Sequence, residues 1–466
     1  MKQKKIIYMP LEIFGRELGG AIVLAREAIN CNWTVCLGAK QSFFSKLSIF
    51  RRSKGVFFLK SIVPGECQIQ KKITDQGHRI VSLDIEGLVP TEGAEGVKLR
   101  FSRETLNKCD LVFFYGKNYL DRVISIYPEA KEKSFVTGGL TIDEAKFRAE
   151  THRRKIKRPK KTGSIVVATS CVLSNPLMGP GHPLRMFKDA YGHNLSSDAL
   201  KSMEIWRRLD RDVFDFWKLL IPEIANQFRD RKIIVRPHPT EDPDFWREYL
   251  SENENIEIDV NDRIYDSIQG ADVFLHHNST SSVYAFLFAI PTIMISPNTN
   301  SQRENWLTFV QHLGLKTDSV SSTLAALQLV FKDEFSINPR ATHLMRQHCQ
   351  SFDSLTPEAS KNIFDKIKGL TCFSDDPFEL APRDLRECVR QLIKSSFKIF
   401  SVEKAKLLNA IGFKVEKAIL NSQKYATKKQ PKIDGKNIEM IHQEIFGCLP
   451  DFKIEEIKTN VFVLSR

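Results

Sequence analysis

The chain predicts an α/β protein of two tandem parallel-sheet units followed by a mainly helical C-terminal extension. Three observations carry that prediction. Short apolar runs alternate with amphipathic stretches over the first ~150 residues. A basic run then interrupts the alternation. The same alternation restarts and continues to about residue 350. Strands alternating with helices imply a parallel sheet covered on both faces.

In the first unit, "KKIIYMP" reads as a strand. "GRELGGAIVLAREAINC" follows with Leu18, Ile22, Ala25 and Ile29 on one helical face. "WTVCLGA", "GVFFLKS", "HRIVSLD", "DLVFFYG" and "SFVTGG" are further strands, each ending in turn residues. Residues 151–162, "THRRKIKRPKKT", form a basic linker, with seven Lys or Arg between His152 and Lys161. The second unit, 163–350, opens on the strand "GSIVVATS" and the long helix "DVFDFWKLLIPEIANQF". "KIIVRPHP" is a strand and turn, "DRIYDSIQGA" a short helix, and "DVFLHHN", "STSSVYAFLFAI" and "PTIMISP" a strand, helix and strand. The predicted domains are therefore 1–150, 163–350 and an extension over 351–466. Two basic amphipathic helices are expected within "DLRECVRQLIKSSFKIFSVEKAKLLNAIGFKVEKAIL", and a strand near the C-terminus.

Composition narrows the class. The chain has 466 residues, 42% hydrophobic and 27% charged, which is ordinary for a globular protein. No apolar run reaches the ~18–20 residues that span a bilayer. The N-terminus is basic and then apolar, but Glu12, Arg16 and Glu17 interrupt it, so a first strand and a cytoplasmic protein are expected rather than a signal peptide. The nine cysteines form no CxxC pair, which argues against zinc ligation and a disulfide framework. The formal charge of +13 suits anionic small substrates, an anionic membrane face or nucleic acid. No RNP-type or helix-turn-helix signature accompanies it.

Three strand-end turns carry candidate chemistry. "RPHP" places Arg236 and His238 between prolines that fix the backbone. Arg236 has the geometry to bind phosphate or a structural carboxylate, and His238 to donate to a bridging phosphate oxygen. "HHNSTSS" puts His276, His277, Asn278, Ser279, Thr280 and Ser281 between a strand and a helix, where free backbone N–H groups attract anions. Both turns belong at the carboxyl edge of one sheet, where α/β proteins bind ligands. In the first unit "LDIEG" offers Asp84 and Glu86 as a general base or nucleophile. Each turn also has a plain structural reading: helix caps, satisfied core histidines or ion pairs.

At these residues the chain resembles bacterial surface carbohydrate biosynthesis proteins, GT-B-type glycosyltransferases similar to Kdo transferases and bacterial sialyltransferases. The resemblance runs through "EIFGRELGGAIVLAREA", "LDIEGLV", "VTGGLTID", "RPHPTED" and "HHNSTSSVYAFLFAIPTIM", in order, over roughly residues 1–350. It implies two Rossmann-like domains in the GT-B arrangement. It also implies a CMP-activated acidic sugar such as Kdo as donor, a cell-surface glycan or lipid-linked acceptor, and no metal or other cofactor. By motif, Glu86 becomes the base, His238 the phosphate-binding histidine, and Ser279, Thr280 and Ser281 phosphate or carboxylate contacts. Two departures stand out: Gly139-Leu140-Thr141 replaces an Asn-Pro-Arg, and Val283-Tyr284 stands where an acidic residue is common. A nucleophilic aspartate, if used, would come from Asp210, Asp212 or Asp215. Alternative readings are a CDP-polyol phosphotransferase of teichoic-acid type and a non-catalytic scaffold that binds membrane or nucleic acid. The basic linker suits peripheral contact with the inner face of the cytoplasmic membrane.

Overall fold

The computed structural model describes residues 5–44, 54–90, 93–155, 163–180, 182, 185, 197–261, 263–297, 310, 313–336, 339–350, 356–370, 433–458 and 461–466. Two sheets organise them. The first holds β1 (Ile6–Leu11), β2 (Thr34–Ala39), β3 (Val56–Leu59), β4 (Arg79–Leu83), β5 (Leu111–Phe114) and β6 (Ser134–Val136), in the parallel order β2-β1-β3-β4-β5-β6. The second holds β7 (Ser164–Ala168), β8 (Lys232–Arg236), β9 (Ile256–Ile258), β10 (Val273–His276), β11 (Thr292–Ile295) and β12 (Leu315–Thr317), all parallel. Read from β9 to β12 and counted within the unit, its strand order is 3-2-1-4-5-6, the Rossmann arrangement. Each predicted strand of the two units is present; β9 and β12, three residues each, escaped the sequence reading.

Both faces of these strands are covered, which explains their continuous apolar runs. In β1, Ile7, Met9 and Leu11 enter one core cluster and Ile6 and Tyr8 the opposite one. Helix α1 (Phe14–Asn30) lies on the first of these faces. Helix α2 (Lys117–Ile126) follows β5, and α3 (Leu140–Lys155) follows β6. The second unit adds α4 (Ser197–Gln227), α5 (Pro243–Tyr249), α6 (Ile264–Ile268) and α7 (Ser281–Leu287).

The boundaries differ from those expected. The first half of the basic linker is helical, because α3 runs to Lys155; residues 156–162 lie outside the described residues. The chain also returns to the first unit before residue 350. Helix α8 (Pro339–His348) reaches α2, and the Gln350 N–H donates to the Tyr115 carbonyl at 2.7 Å. Helix α9 (Ala359–Lys368) packs on α1, with Phe364 edge-on to Trp33 at 5.5 Å. Burying such a ring contributes roughly 2–3 kcal/mol.

The C-terminus contributes strands as well as helix. Helix α10 (Gly435–Phe446) packs on α3, with Phe446 against Phe147 at 4.7 Å. Strands β13 (Lys453–Lys458) and β14 (Val461–Ser465) extend the first sheet, β14 running antiparallel to β2. The edge of β2 is thereby paired rather than exposed. The two basic helices expected between residues 371 and 432 fall outside the described residues.

Gly116 is where the returning segment comes closest. Its φ of −149° suits any residue, but an added Cβ would lie 2.3 Å from the His348 carbonyl carbon and 2.8 Å from the Gln347 oxygen. Those are backbone atoms and cannot rotate away. Gly116→Ala is expected to destabilise the protein by about 1–3 kcal/mol in chemical denaturation. Alanine at the exposed neighbour Lys117 should change it by no more than about 0.5 kcal/mol.

Candidate functional site

In doubly wound sheets ligands bind where the strand order reverses, at the carboxyl ends of the strands. In the second unit that point lies between β7 and β10. Ala168 is in register with Arg236 of β8 on one side and with His276 of β10 on the other. The RPHP and HHNST turns therefore leave the same edge at the same level, about 10 Å apart across two strand spacings. Ser170 and Asn278, just past β7 and β10, both have left-handed backbones, with φ of 55° and 48°. Such conformations in non-glycine residues persist only where the surroundings impose them.

The RPHP turn is tightly held. The Arg236 guanidinium donates to Asp259, to Ser267 Oγ at 2.7 Å and to the Asn261 carbonyl at 2.7 Å. Its partner is thus a structural carboxylate, and the phosphate contact expected of it would have to compete with Asp259. His238 is exposed, and its Nδ1 accepts from the Thr240 backbone N–H at 3.2 Å. That bond assigns the proton of the neutral ring to Nε2.

Beneath the turn lies a residue to which the sequence reading assigned no role. Glu241 is 1% exposed, and its carboxylate accepts from the N–H groups of His238 (2.9 Å) and Cys171 (2.8 Å), Thr169 Oγ1 (2.9 Å) and Trp246 Nε1 (3.2 Å). Burial pushes this carboxyl up to about 7, against the hydrogen bonds from His238, Thr169, Trp246 and Cys171 that hold it down. Nearby, buried Asp210 accepts from the Ser174 N–H at 2.7 Å and anchors the loop after β7. Asp215 pairs with Lys218 at 2.7 Å, and Asp212 is exposed.

The HHNST turn differs from its expected form. His276 is wholly buried, out of reach of a ligand in this arrangement. Burial, with His277 alongside, lowers its pKa to about 3, so the ring is neutral. His277 shares a hydrogen bond through Nδ1 with the Ile295 carbonyl at 2.9 Å. The N–H groups expected to be open to anions are partly used within the turn. Ser281 N–H reaches Ser279 Oγ at 3.3 Å, and Ser282 N–H the Ser279 carbonyl at 3.1 Å. Helix α7 has only seven residues, which limits its dipole. Of the predicted group, Thr280 is exposed and Asn278, Ser279 and Ser281 are half-buried.

In the first unit, Asp84 is buried, ion-paired to Arg100, and accepts from the Glu86 N–H at 3.3 Å. It is a structural cap. Glu86 keeps 44% of its side chain exposed and pairs with Arg16 at 2.8 Å. Burial alone would raise its carboxyl, but the charges of Arg16, Arg100 and Lys60 and the Arg16 hydrogen bond outweigh that and hold it below the ordinary carboxylate value. It is an anion at neutral pH. The reversal point of this sheet lies one strand away, between β1 and β3, where Lys60 bridges Glu12 at 2.9 Å and Glu17 at 3.7 Å.

The two units meet at Thr141. Tyr115 of the first unit shares a hydrogen bond with Thr141 Oγ1 at 3.1 Å, and Tyr265 of the second donates to the Thr141 carbonyl at 3.4 Å. Tyr284 of α7 lies beside the Thr141 side chain and feels the charges of Arg16 and Glu86. Its neighbour Val283 belongs to the core of the first unit. The two departures from the family pattern, Thr141 and Tyr284, therefore contact each other. A cavity of about 50 Å³, large enough for a water or two, lies within the first unit beside Thr141, with Glu17, Lys60 and Tyr115 also in its lining. An open groove of about 740 Å³ lies elsewhere, at the edge strand β9, lined in part by Arg229, Arg231, Trp246 and Asn255.

No family model and no curated protein matches the chain. Solved structures do. One is UDP-GlcNAc 2-epimerase from Neisseria meningitidis bound to UDP-GlcNAc, at 12% identity and a TM-score of 0.46, covering 79% of this chain and 100% of that one. A putative UDP-N-acetylglucosamine 2-epimerase from Listeria monocytogenes matches at 13% and 0.46, over 78% and 96%. Anabaena Alr3699/HepE in complex with UDP and glucose matches at 10% and 0.40, over 79% and 100%. Among the described residues no helix is long and apolar enough to cross a membrane, and no group of three His, Cys, Asp or Glu could hold a metal ion.

Glu241 gives a pH prediction. Its folded pKa lies above its ordinary 4.5, so the folded state holds the proton more tightly. Its contribution to stability is full below pH 4.5 and is lost as pH rises through 7. The loss is on the order of 3 kcal/mol. The difference in unfolding free energy between wild type and Glu241→Gln, followed from pH 4 to 8, should carry that slope. A pH-independent difference would mean that the carboxyl titrates alike in both states.

Proposed function

We propose that the protein is a glycosyltransferase that uses a nucleotide-activated sugar. The observation that carries this reading is the placement of the RPHP and HHNST turns at one sheet edge, flanking the reversal point, while α7 brings that unit against Arg16 and Glu86 of the other. Glu86, ionised and half-exposed, takes the proton of an acceptor hydroxyl. The hydroxyl oxygen bonds to the anomeric carbon as the bond from that carbon to the phosphate oxygen breaks. The electron pair leaves with the nucleotide. The Nε2–H of His238 donates to the phosphate oxygen where negative charge builds up. Arg16 keeps Glu86 ionised and oriented. Ser279, Thr280 and Ser281 supply hydroxyls to the phosphate or to a sugar carboxylate.

The family resemblance supplies the finer reading: a CMP-linked acidic sugar such as Kdo, delivered to a surface glycan or its lipid-linked precursor. Charge bears on it. The carboxylates Glu12, Glu17, Glu66, Asp84 and Glu86 already engage Arg16, Lys40, Lys60 and Arg100 at the first unit's edge. An acidic sugar must draw a cation away from one of these pairs, and Arg16 and Lys60 are the candidates. The same scaffold with a CDP-polyol would transfer a phosphate ester instead, and its phosphate would use the same His238.

CMP-Kdo, UDP-GlcNAc and CDP-glycerol can be compared by thermal shift and by nucleotide release. At least one nucleotide sugar should raise the melting temperature and be turned over, with CMP-Kdo favoured. His238→Ala and Glu86→Gln should each lower turnover by about 10²–10⁴-fold while the protein stays folded. If none of the three compounds binds or reacts, the transferase reading fails. Preference for CDP-glycerol would select the polyol alternative.

A further inference from the structure

Glu241 does more than fill a core position. Its carboxylate holds two loops that leave neighbouring strands. On the β8 side it accepts from the His238 N–H; on the β7 side it accepts from Thr169 Oγ1 and the Cys171 N–H. Further bonds close the same seam. Trp217 Nε1 donates to the Thr169 carbonyl at 3.1 Å, the Leu177 N–H to the Thr240 carbonyl at 2.8 Å, and Asn175 Nδ2 to the Asp242 carbonyl at 2.9 Å. Only Glu241 touches the His238 backbone and the turn at the left-handed Ser170 with one side chain, among the hydrogen bonds described. A buried carboxyl that accepts from two backbone N–H groups, a hydroxyl and an indole is a costly arrangement for packing alone. Replacing it by an apolar side chain would strand those donors.

We propose that Glu241 is a positioning residue of the site: it locks the His238 turn to the Thr169–Cys171 turn, so that the imidazole is presented in a single tautomer beside the crevice between β7 and β10. The proposal rests on the reading that His238 donates to a phosphate. The chain of effect is short. The carboxylate fixes the backbone at His238 and hence the turn to Thr240. The Thr240 N–H and Oγ1, at 3.2 and 2.8 Å from Nδ1, then hold that nitrogen as an acceptor. The proton stays on Nε2, where a phosphate oxygen requires it.

Full-length protein labelled with ¹⁵N-histidine tests this, with the His238 ring identified from its loss in His238→Ala. Wild type should show Nδ1 unprotonated and Nε2 protonated, as one tautomer. Glu241→Gln keeps the shape and one acceptor oxygen but sets an amide N–H against the Trp246 indole N–H. It should stay folded, mix the two tautomers, and weaken binding of CMP by about tenfold or more. Glu241→Asp, which restores a carboxyl at shorter reach, should recover part of both. If Glu241→Gln fails to fold, Trp246→Phe removes one donor only and should shift the His238 ring signals in the same direction. Unchanged His238 ring signals in whichever of these variants folds would overturn the proposal. If wild type binds no CMP and yet the ring signals change, the phosphate reading fails while the positioning role stands.

Discussion

Two tyrosines of the second unit meet Thr141 of the first: Tyr265 donates to its carbonyl and Tyr284 lies beside its side chain, while Tyr115 holds Thr141 from within its own unit. A site shared by the lobes depends on this contact, because Glu86 belongs to one lobe and His238 to the other. The contact is buried and neutral, and a charged pair follows it outward. Arg148 binds Glu144 at 2.8 Å and Glu444 at 3.1 Å, while Glu444 also takes Arg263 of the second unit at 2.9 Å. Gly19 makes room for this network: a Cβ there would lie 2.0 Å from Glu144 Oε1. The final helix thus braces both lobes.

Charge is distributed differently from what the total suggests. The formal net charge is +13, yet each described cation at the first unit's edge has a carboxylate partner. In the second unit Arg236 and Arg263 are likewise paired. On the proposed function, an anion would be held there through aimed hydrogen-bond donors more than through surplus positive charge. Such donors discriminate by geometry and are less sensitive to salt than a basic patch. That fits a phosphate held on a fixed turn better than one attracted to a charged surface.

Much of the fold was legible. Parallel strands buried on both faces leave continuous apolar runs, and "IIYMPL" or "SIVVA" cannot be mistaken for solvent-exposed segments. β9 and β12 were missed because three residues carry no readable period. The turns carrying Glu86, His238 and Ser279 were legible because polar residues interrupt those runs at strand ends. What could not be read was which polar groups are already spent. Arg236 looks open in sequence, and only the fold brings Asp259 to it. Nothing in "RPHPTED" marks Glu241 as buried, because its burial depends on Trp246 and on a loop some 70 residues earlier. The one available signal was its spacing, three residues after His238, which lets a carboxylate reach back to a backbone N–H. The return of the C-terminus was equally hidden, since pairing of β14 with β2 joins the two ends of the chain.

On the proposed function the ligand lies between the lobes, at the reversal point of the second sheet. Hydrogen–deuterium exchange of the full chain with and without CMP or UDP tests it most directly. Protection is predicted at residues 169–175, 237–242 and 277–282, with a smaller effect at 84–88. Protection confined to residues 229–232 and 246–258 would instead place the ligand in the groove at β9.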